Sequence, residues 1–542
     1  MSMRLCVCLF FMMSLSMPAQ VTFQDLLKSP GENWLSYSGD LTGRRHSLLK
    51  QIGIGNVNQL VPQWIFHVPE SKRLQATPVV VNGVMYVTDS NQVFALDART
   101  GRSVWHFKQV EPKQTLGNRG VAVLGDRVFF LTSDAHLVAL HAKTGAVLWD
   151  VQYANSDENY SATLAPLAID GKVIVGIGGG DCGIRGFVAA FNASTGKEVW
   201  RFWTIPGGGE SGSETWGGHP AEISGGATWM TGVYDASQDL VIWTTGNPGP
   251  DFFGGGRPGD NLYTNCVVAL EANTGKLRWH FQFTPHDTHD WDAQEFPALI
   301  DTDFQGKPRK LLIQANRNGF FYVLDRANGQ MLLAKPFVNK LNWAKGIQSN
   351  GRPDLIPGMD PSPEGKLVCP GVIGGTNWFS PSYSPETRLF YVISVEQCDI
   401  YTSSSRSYKR GECYSGTGAE AIPSEPGQFI LRALDLYTGE IRWEIPLIGS
   451  GTASGAMPGT LSTGSGLVFF ADDAGYLAAA DGRLGKTLWS FYTGQMISAS
   501  PMSYSVSGKQ YVAIATATDV ISFGLFDPTI FATVQPTVER IK

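Results

Sequence analysis

The stretch Ala95-Leu-Asp-Ala-Arg-Thr-Gly101-Arg-Ser-Val-Trp105 joins an Asp-x-x-Thr-Gly turn to a tryptophan four residues after the glycine. A seventh, variant copy, Val323 to Gly329, keeps the turn but has Leu333 at the tryptophan position. Self-similarity of this kind is typical of repeat folds, in which each repeat is one supersecondary unit. The six copies that keep the glycine and the tryptophan at this spacing are Ala95 to Trp105, Ala139 to Trp149, Ala190 to Trp200, Ala269 to Trp279, Ala433 to Trp443 and Ala480 to Trp489.

Each copy follows an alternating apolar segment, such as Val79 to Val87 or Lys172 to Gly176, and the turn then reverses the chain into the segment that carries the tryptophan. A lone four-stranded sheet cannot bury both faces, so the sheets are expected to stack radially, with each tryptophan filling the gap to a neighbour. The seven copies, plus a sheet that pairs the segment around Trp64 with the segment around Ala513, predict an all-β, eight-bladed β-propeller with tryptophan-docking repeats. Residues 21–542 are predicted to form this single domain.

The composition supports this fold and excludes several classes of function. The 542 residues include 62 Gly, 30 Pro and 15 Trp, and only 17% are charged, which favours short strands and tight turns over helical bundles. The formal net charge is -6 and no long basic run occurs, so the chain lacks the clustered Lys and Arg of nucleic-acid-binding surfaces. We therefore expect a small-molecule partner.

The N-terminus predicts export. Arg4 is followed by an apolar run over residues 5–15 and then by a Ser-Met-Pro-Ala-Gln segment that ends at Gln20, which is the pattern of a secretory signal. Residues 1–20 are predicted to be a signal peptide, and the mature protein to be periplasmic or secreted. An uncleaved N-terminal anchor is the alternative. No later window has about 18 uninterrupted apolar residues, so no further membrane span is expected.

The cysteine pattern bears on redox chemistry. No Cys-x-x-Cys-His sequence occurs, so a covalently attached c-type haem is not expected, and any electron acceptor would be a separate molecule. An odd number of cysteines follows the predicted signal peptide, which allows at most two disulfides and leaves one thiol free. These cysteines are Cys182, Cys266, Cys369, Cys398 and Cys413.

Several longer phrases occur in a characteristic order. They are Asn118-Arg-Gly-Val121, Gly178-Gly-Gly-Asp-Cys-Gly-Ile-Arg-Gly186, Gly225-Gly-Ala-Thr-Trp229, Thr245-Gly-Asn-Pro-Gly-Pro250, Arg257-Pro-Gly-Asp-Asn-Leu-Tyr263, Thr284-Pro-His-Asp-Thr-His-Asp-Trp-Asp292, Asn316-Arg-Asn-Gly319 and Gly375-Thr-Asn-Trp378. Together they resemble the PQQ-dependent alcohol dehydrogenases, the quinoprotein methanol and ethanol dehydrogenase family. The resemblance is strongest between Gly178 and Asp292 and extends from Trp34 to about Gly524.

The resemblance implies a site for pyrroloquinoline quinone (PQQ), a flat tricarboxylate that needs an aromatic plane and cations or N–H donors around it. Trp229 resembles the stacking indole of the family. Arg119 and Arg317 resemble its rim cations, because a guanidinium group matches carboxylate or quinone oxygens. The other positions implied to contact the cofactor are Gln75, Thr163, Gly178, Gly179, Gly180 and Asn377.

The resemblance also implies a metal ion beside the quinone. A hard cation takes oxygen ligands, and the matching positions are Asp181, Asn247, Asp290 and Asp292. Position 181 is normally Glu in the family, so the side chain here is one methylene shorter. Position 292 is Asp in the lanthanide-using relatives and small and uncharged in the calcium enzymes. Extra negative charge suits a trivalent ion, and both Ca²⁺ and a lanthanide ion stay open at this point.

The implied activity is oxidation of a primary alcohol to an aldehyde, with Asp290 as the general base that takes the hydroxyl proton. Electrons would pass to a separate cytochrome c or another acceptor. A quinoprotein that acts on an aldose or polyol is one alternative. A non-catalytic envelope scaffold is another, because similar repeats build propellers that bind only proteins. His286 and His289 flank the Asp290 loop without a third ligand at zinc spacing, and we expect them to structure the loop.

Three departures from the family concern the cofactor pocket. Lys113-Gln114 replaces a vicinal cysteine pair that many members have, Gln75 stands where Glu is usual, and Ala227 stands where a hydroxyl residue is frequent. The pocket is therefore expected to differ in detail from that of its relatives.

One disulfide is implied by the resemblance. Cys369 and Cys398 match a family pair that would anchor the loop carrying Asn377. Cys413 lies in a polar insertion and could compete for either partner, so the pairing stays open.

Overall fold

The structure is a computed structural model that describes residues 20–528. The predicted signal peptide lies outside the described residues apart from Gln20. Strands dominate, and the described chain has one short α-helix, Phe23–Leu26. Within residues 20–528 no helix is long and apolar enough to cross a membrane. The short 3-10 turns are Val57–Gln59, Ser156–Glu158, Gly180–Cys182, Ser213–Trp216, Ala221–Ile223, Gly254–Gly256 and Gly451–Ser454.

Most strands of the described residues fall into eight sheets of four or five strands, numbered 1 to 8 along the chain. Sheets 1 to 4 contain, in turn, Val79–Val81, Val84–Asp89, Gln92–Asp97 and Ser103–Lys108; Ala122–Leu124, Arg127–Leu131, His136–His141 and Val147–Gln152; Leu167–Ile169, Lys172–Val175, Phe187–Asn192 and Glu198–Trp203; Val233–Asp235, Leu240–Thr244, Cys266–Glu271 and Leu277–Gln282. Sheets 5 to 8 contain Ala298–Phe304, Lys307–Ala315, Phe320–Asp325 and Gln330–Pro336; Ser382–Ser384, Leu389–Glu396, Gln428–Asp435 and Ile441–Pro446; Thr460–Thr463, Leu467–Ala471, Tyr476–Asp481, Thr487–Tyr492 and His46–Ser47; Met502–Val506, Lys509–Ala515, Asp519–Leu525 and Leu60–His67. Smaller sheets are Ala344–Ile347 with Pro353–Leu355, and Lys366–Val368 with Asp399–Ser403 and Thr417–Ala421.

Neighbouring strands within sheets 1 to 6 run antiparallel, in chain order. The link that enters a first strand and the turn between the second and third strands therefore lie at the same end of each sheet, which we call the loop end. The Asp-x-x-Thr-Gly turns lie at the opposite end. This alternation gathers residues that are far apart in the sequence.

Sheet 8 joins two distant parts of the chain. Leu60–His67 pairs antiparallel with Asp519–Leu525, and Trp64 lies opposite Ser522. The Trp64 segment and the Ala513 segment lie in the same sheet, as predicted, but the prediction that they pair directly is wrong. Asp519–Leu525 lies between them and pairs with both. After the turn that follows Ala515, Asp519–Leu525 adds to the free edge of Lys509–Ala515, and Leu60–His67 then pairs with the outer edge of Asp519–Leu525.

Each repeat tryptophan docks on the turn of the following sheet. Trp105 lies opposite Ala95 in sheet 1, and its indole N–H donates to Ala142 O in sheet 2 at 2.9 Å. A Cβ added at Gly145, whose φ is 70°, would approach the Trp105 ring to 2.6 Å, so only glycine allows this contact. Trp64 makes the same contact from sheet 8 to Ala98 in sheet 1, at 3.0 Å. The sheets thus stack side by side as a β-propeller.

The variant copies dock in a related way. A Cβ at Gly439 would meet Leu333, so leucine fills the gap between sheets 5 and 6 in place of an indole. The copy that ends at Trp489 has Leu484 where the others have Thr or Asn, and its indole N–H donates to Leu60 O in sheet 8 at 3.2 Å. Docking therefore depends on an apolar side chain four residues after the turn glycine, and it tolerates changes in the other turn residues.

The core lies between the sheets. All residues of Leu240–Thr244 and of Phe320–Asp325 are buried, because inner strands have a neighbouring sheet on both faces. The fourth strands are more exposed and alternate, as in Ser103–Lys108. Function is therefore expected at the ends of the sheets, where the loops lie.

Candidate functional site

The loop end gathers all the predicted site residues. Asp290 and Asp292 lie in the link from sheet 4 to sheet 5. Turns between second and third strands carry Gly178 to Asp181 in sheet 3, Asn247 in sheet 4 and Arg317 in sheet 5. The links that enter sheets 1, 2, 3, 4 and 6 carry Gln75, Arg119, Thr163, Trp229 and Asn377.

Arg317 joins the two acids of the Asp290-Trp291-Asp292 segment. Its Nη1 donates to Asp292 Oδ2 at 2.7 Å, and its Nη2 lies 3.6 Å from Asp290 Oδ2. Arg317 and Asp292 are buried, whereas the Asp290 side chain is 23% exposed. Asp290 also has a φ of 58°, which is costly for a non-glycine residue and must be enforced by its packed surroundings. Asp290 is thus the acid of this pair that a small molecule can reach.

Trp291 anchors this segment in the core. It is fully buried, its indole N–H donates to Gly371 O at 3.0 Å, and its backbone N–H donates to Asp287 Oδ2 at 2.8 Å. His289 stacks on it, with ring centroids 4.4 Å apart. His289 Nε2 also pairs with Met359 O at 2.9 Å. These contacts position the two flanking acids and agree with a loop-structuring role for the histidine.

Asn247 ties sheet 4 to the acidic segment. Its backbone N–H donates to Asp292 Oδ1 at 3.0 Å, and its Nδ2 donates to Asp251 Oδ1 at 2.8 Å. Because the amide nitrogen is engaged, the amide oxygen is the side-chain atom of Asn247 that could bind a cation. Asp251 is a buried acid, 3% exposed, that the sequence analysis did not single out.

Asp181 lies in the 3-10 turn Gly180–Cys182. Its backbone carbonyl accepts a hydrogen bond from Tyr414 N at 3.0 Å. The Asp181 side chain is exposed at its own surface, but it lies in a recess with many protein atoms around it. It is therefore less well solvated than a carboxylate on an open surface. It is therefore a reachable carboxylate in a poorly solvated position.

The four acids repel one another. Burial raises the pKa of Asp181, Asp251 and Asp290, and the charge of Asp181 raises it further for the other two. Burial also raises the pKa of Asp292 to about 6, against the opposing effect of Arg317. Arg317, and Arg257 beside Asp251, oppose these rises in pKa, but two guanidinium groups do not offset four carboxyl groups, so this cluster, which we call the acidic group, favours a bound cation.

Two indoles flank Arg119. Its guanidinium carbon lies 5.2 Å from the ring centroid of Trp229 and 4.4 Å from that of Trp378. Its Nη1 donates to Thr163 Oγ1, and its Nε has no hydrogen-bond partner among the described residues. Burial lowers the pKa of Arg119 to about 10, which leaves it charged at neutral pH. Trp229 is only partly buried, so one part of its ring can cover a planar ligand.

Asn377 contacts its own loop. Its Nδ2 donates to Ile373 O at 2.9 Å, and its Oδ1 accepts from Trp378 N at 2.9 Å. The same loop holds Arg317, whose backbone carbonyl accepts from Gly375 N at 2.7 Å. Asn377 therefore orders the loop that covers Arg317.

The glycines at 178–180 pack tightly against protein. A Cβ at Gly179 would lie 2.1 Å from Asn159 O, and one at Gly178 would lie 2.9 Å from Ser161 Oγ. Close backbone packing explains these glycines without a ligand. Their predicted approach to a cofactor stays a prediction.

The departures from the family pattern lie around Arg119. The Gln75 side chain occupies the space beside Gly117, where an added Cβ would lie 2.9 Å from its Cδ. Lys113 pairs with the exposed Asp157 at 3.1 Å. Ala227 leaves room for Gly180, where an added Cβ would lie 3.2 Å from the Ala227 Cβ. The pocket wall in this region is built from amides and small residues.

Both disulfides are near the loop end. The structure contains Cys369–Cys398, the pair that the resemblance implies. Cys413 pairs with Cys182, the residue that follows Asp181. Cys266 is free and buried, so it is the unpaired thiol that an odd number requires.

The residue types present fit both cofactors of such a site. Every side chain of the acidic group offers oxygen donors, as a hard cation requires. Arg317 Nε, like Arg119 Nε, is buried without a partner among the described residues, and an anionic quinone could accept from both. Within residues 20–528 no three His, Cys, Asp or Glu side chains lie close enough to hold a metal ion as they stand. Coordination would therefore draw the acids inward from the positions described.

Comparison with known proteins decides the family. The family model described as "PQQ: Glucose/ethanol/alcohol dehydrogenase, beta-propeller domain" matches residues 34–336 and 425–512. The chain belongs to the PQQ-dependent alcohol dehydrogenases. The resemblance seen in the sequence is confirmed, and membership of an enzyme family favours the dehydrogenase over the scaffold alternative.

Two curated dehydrogenases of this family match over most of their length. The quinoprotein alcohol dehydrogenase PedH of Pseudomonas putida is 36% identical over 539 residues, which cover 92% of this chain and 88% of that protein. The lanthanide-dependent methanol dehydrogenase of Methylorubrum extorquens is 33% identical over 541 residues, which cover 90% of this chain and 88% of that protein.

Solved structures of the family superpose closely on this PQQ-dependent alcohol dehydrogenase fold. The quinohemoprotein alcohol dehydrogenase ADHIIG from Pseudomonas putida has a TM-score of 0.87 at 32% identity and covers 97% of this chain and 84% of its own. A europium-containing methanol dehydrogenase has a TM-score of 0.86 at 30% identity and covers 93% of this chain and 100% of its own.

Sequence reasoning missed three residues of this site: Asp251, Trp378 and Cys182. Asp251 follows the phrase that ends at Pro250, and a lone aspartate in a loop carries no spacing signal. Trp378 ends the phrase Gly375-Thr-Asn-Trp, which gives the tryptophan no separate role. Cys182 could have been noticed because it directly follows the implied ligand Asp181.

Proposed function

We propose that this chain is a periplasmic, PQQ- and metal-dependent dehydrogenase that oxidises a primary alcohol to an aldehyde. The observation that carries the proposal is the acidic group around Arg317, at the same end of the propeller as Arg119 and the two indoles that it contacts, Trp229 and Trp378. A cluster of acids at the same end as two indoles and a buried arginine suits a metal ion and a planar anion together.

In this proposal the two cofactors share the chain's polar groups. PQQ supplies two-electron redox chemistry when bound, and the cation supplies Lewis-acid polarisation. The partly exposed face of Trp229 covers the planar ring system, and Arg119 and Arg317 donate to its oxygens. The remaining proposed contacts are Gln75, Thr163, Gly178, Gly179, Gly180 and Asn377.

Asp290 is the proposed general base. Its side chain is partly exposed, so the hydroxyl group of an alcohol can reach it. Burial raises the pKa of Asp290 and makes it a stronger proton acceptor, while Arg317 at 3.6 Å opposes this rise. Asp292 cannot take this role as readily, because its oxygens already accept from Asn247 N and Arg317. In this proposal Asp290 accepts the proton, and Asp292 provides negative charge beside it.

The proposed metal ligands are Asp181, Asn247, Asp290 and Asp292. We favour a lanthanide ion over Ca²⁺, because Asp292 and the nearby Asp251 add negative charge that a trivalent ion offsets better. The names of two relatives, a lanthanide-dependent and a europium-containing methanol dehydrogenase, support this choice. Ca²⁺ is the second candidate.

At the level of the whole chain, we propose that residues 1–20 are removed on export and that residues 21–542 form one domain of eight blades. The blade count is supported by docking contacts that run from each sheet to the next and return from sheet 8 to sheet 1 through Trp64. No attached haem is expected, so electrons are proposed to leave to a separate cytochrome c or another acceptor.

The experiment is reconstitution of the purified exported protein with PQQ and either La³⁺ or Ca²⁺. Dye reduction with short primary alcohols is the readout, and N-terminal sequencing of the mature protein tests export. We expect turnover with both cofactors present, faster with La³⁺, and a mature N-terminus near residue 20. Asp303→Asn, an exposed acid in sheet 5, is the matched control and should keep full activity. Absence of alcohol-dependent turnover with either metal would contradict the proposal.

A further inference from the structure

Residues 404–416, which we call the strap, reach the Asp181 turn from the link between the second and third strands of sheet 6. The strap connects Asp399–Ser403 to Thr417–Ala421. It is bonded to the turn by the Cys182–Cys413 disulfide. The next residue, Tyr414, donates its backbone N–H to Asp181 O at 3.0 Å. Two consecutive strap residues, Cys413 and Tyr414, are thus fixed to two consecutive residues of the turn, Cys182 and Asp181, by a covalent bond and a hydrogen bond.

Further contacts fasten the strap to the same side. Arg410 pairs with Glu158 at 2.8 Å, in the link that enters sheet 3. Tyr408 covers Gly183, where an added Cβ would lie 2.5 Å from its ring. The Tyr408 ring also packs edge-on against Tyr414, with centroids 5.4 Å apart. The strap therefore contacts the Asp181 turn, and the link that enters sheet 3, at several positions between Tyr408 and Tyr414.

The other side of the strap contacts the loop that carries Asn247. Ser415 O accepts from Phe252 N at 2.8 Å, and Ser403 Oγ donates to Phe252 O at 2.6 Å. A Cβ at Gly416 would lie 2.9 Å from the Phe253 Cβ. The strap thus contacts both the Asp181 turn of sheet 3 and the Asn247 turn of sheet 4.

The Asp181 turn needs such an anchor. It lies between Gly179, with a φ of 106°, and Gly183, with a φ of 72°. Glycines in these conformations leave the turn many alternatives, and a cross-link removes that freedom from a loop. Asp181 also reaches one methylene less far than the Glu of the family, so its backbone has to be held where the shorter side chain suffices.

We propose that the Cys182–Cys413 disulfide and the Tyr414 hydrogen bond position the Asp181 carboxylate as a ligand for the proposed cation. Cys182, Cys413 and Tyr414 are positioning residues in this scheme, since none of them is a ligand. The inference rests on the proposed metal site and adds the way in which this chain keeps a shortened ligand in place.

The test measures ion binding by the apoprotein, without substrate or turnover. Eu³⁺ is titrated into wild type and C182S/C413S, and luminescence lifetimes in H₂O and D₂O count the bound waters. We expect at least about tenfold weaker Eu³⁺ binding and one or more additional bound waters in the variant. The control Asp303→Asn alters an exposed acid in the strand Ala298–Phe304 of sheet 5 and should leave the Eu³⁺ affinity and lifetime unchanged.

A rescue distinguishes positioning from general damage. D181E in the C182S/C413S background should recover part of the Eu³⁺ affinity, because the longer side chain reaches without the anchor. Should C182S/C413S fail to fold, mild reduction of folded wild type replaces it, since Cys413 is exposed and both Cys369 and Cys398 are buried. The reduced protein should show the same loss of affinity.

Equal Eu³⁺ affinity and equal bound water with and without the disulfide would overturn the inference while leaving the metal site intact. Peptide mapping that finds Cys182 and Cys413 as free thiols in active protein would also overturn it. Failure of wild-type protein to bind either Eu³⁺ or Ca²⁺ would instead reject the proposed function, and the inference with it.

Discussion

Asp290 and Asp292 share one arginine but differ in everything else that they contact. Asp292 is buried and accepts from Asn247 N and Arg317 Nη1, so both of its oxygens are used. Asp290 has one longer contact at 3.6 Å and remains partly exposed. Two carboxylates that are two positions apart therefore have different environments, and environment decides which acid transfers protons.

Replacement of Asp290 tests its role directly. Asp290→Asn keeps the shape of the side chain but removes the proton acceptor, so we expect dye-linked turnover to fall by roughly 10²- to 10⁴-fold. PQQ binding, followed by its absorbance, should persist because the proposed stacking and rim residues are unchanged. A variant with wild-type turnover would remove Asp290 from the chemistry.

The sequence could predict the types of residue at the site but not their full number. Long phrases in order pointed to Asp290, Arg317 and Trp229, which the fold brings to one end of the molecule. Asp251 could not be predicted because its effect arises only when burial places it against Asn247. The pairing of Cys413 likewise depends on which loops meet in space, so spacing left it open.

At the scale of elements, the repeat works through one contact made many times. Each indole lies opposite a small residue in its own sheet and packs on the next sheet. Most also donate to a carbonyl there, as Trp105, opposite Ala95, does to Ala142, whereas the Trp279 ring packs on Gly329 with its N–H unpartnered among the described residues. The sequence predicted this because the offset between Gly and Trp is fixed by a turn and one strand. The sequence did not predict which C-terminal strand pairs with the Trp64 strand, because an alternating apolar pattern does not specify the partner of a distant segment.

Truncation of one docking tryptophan should destabilise the whole ring. Trp105→Ala removes a large ring and its hydrogen bond between sheets 1 and 2, and we expect a loss of about 3 kcal/mol in the free energy of unfolding. The neighbour Val104 is 55% exposed, so Val104→Ala should change it by less than about 0.5 kcal/mol. Chemical denaturation measures both, and equal values for the two variants would disprove a docking role.

A buried ion pair between sheets 4 and 5 makes stability depend on pH. Arg326 Nε donates to Asp235 Oδ2 at 2.6 Å, and both side chains are buried. Burial alone would raise the pKa of Asp235, but hydrogen bonds from Arg326, Gln238 and Ser237 lower it from 3.8 to about 2. The stabilisation is therefore fully present above about pH 4 and is lost as the pH falls towards 2.

Asp235→Asn tests this dependence. At pH 6 the variant should lose about 1.5–3 kcal/mol, because Arg326 loses its charged hydrogen bond to Asp235 and keeps only the more exposed Asp301 as an ionic partner. Its stability should then vary less than that of wild type between pH 4 and 2. Asp303→Asn, on the exposed part of sheet 5, is the control. Parallel pH curves for wild type and Asp235→Asn would refute the assignment.

At the scale of the whole molecule, sheet 8 determines whether the ring is closed. Leu60–His67 has a partner only when Asp519–Leu525 is present, and Trp489 docks on Leu60 O. A chain that ends at residue 518 should therefore fail to unfold cooperatively, whereas the full protein should unfold in a cooperative transition. Calorimetry of the two chains is the measurement, and similar transitions would show that closure is not required.

The position of the closing strand also bears on the order of folding. Leu60–His67 precedes every strand of sheets 1 to 7 except His46–Ser47, whereas its partner Asp519–Leu525 follows all of them. During synthesis the Trp64 strand therefore lacks its neighbour until the strands of the other sheets have left the ribosome, and the contact that closes the ring forms late.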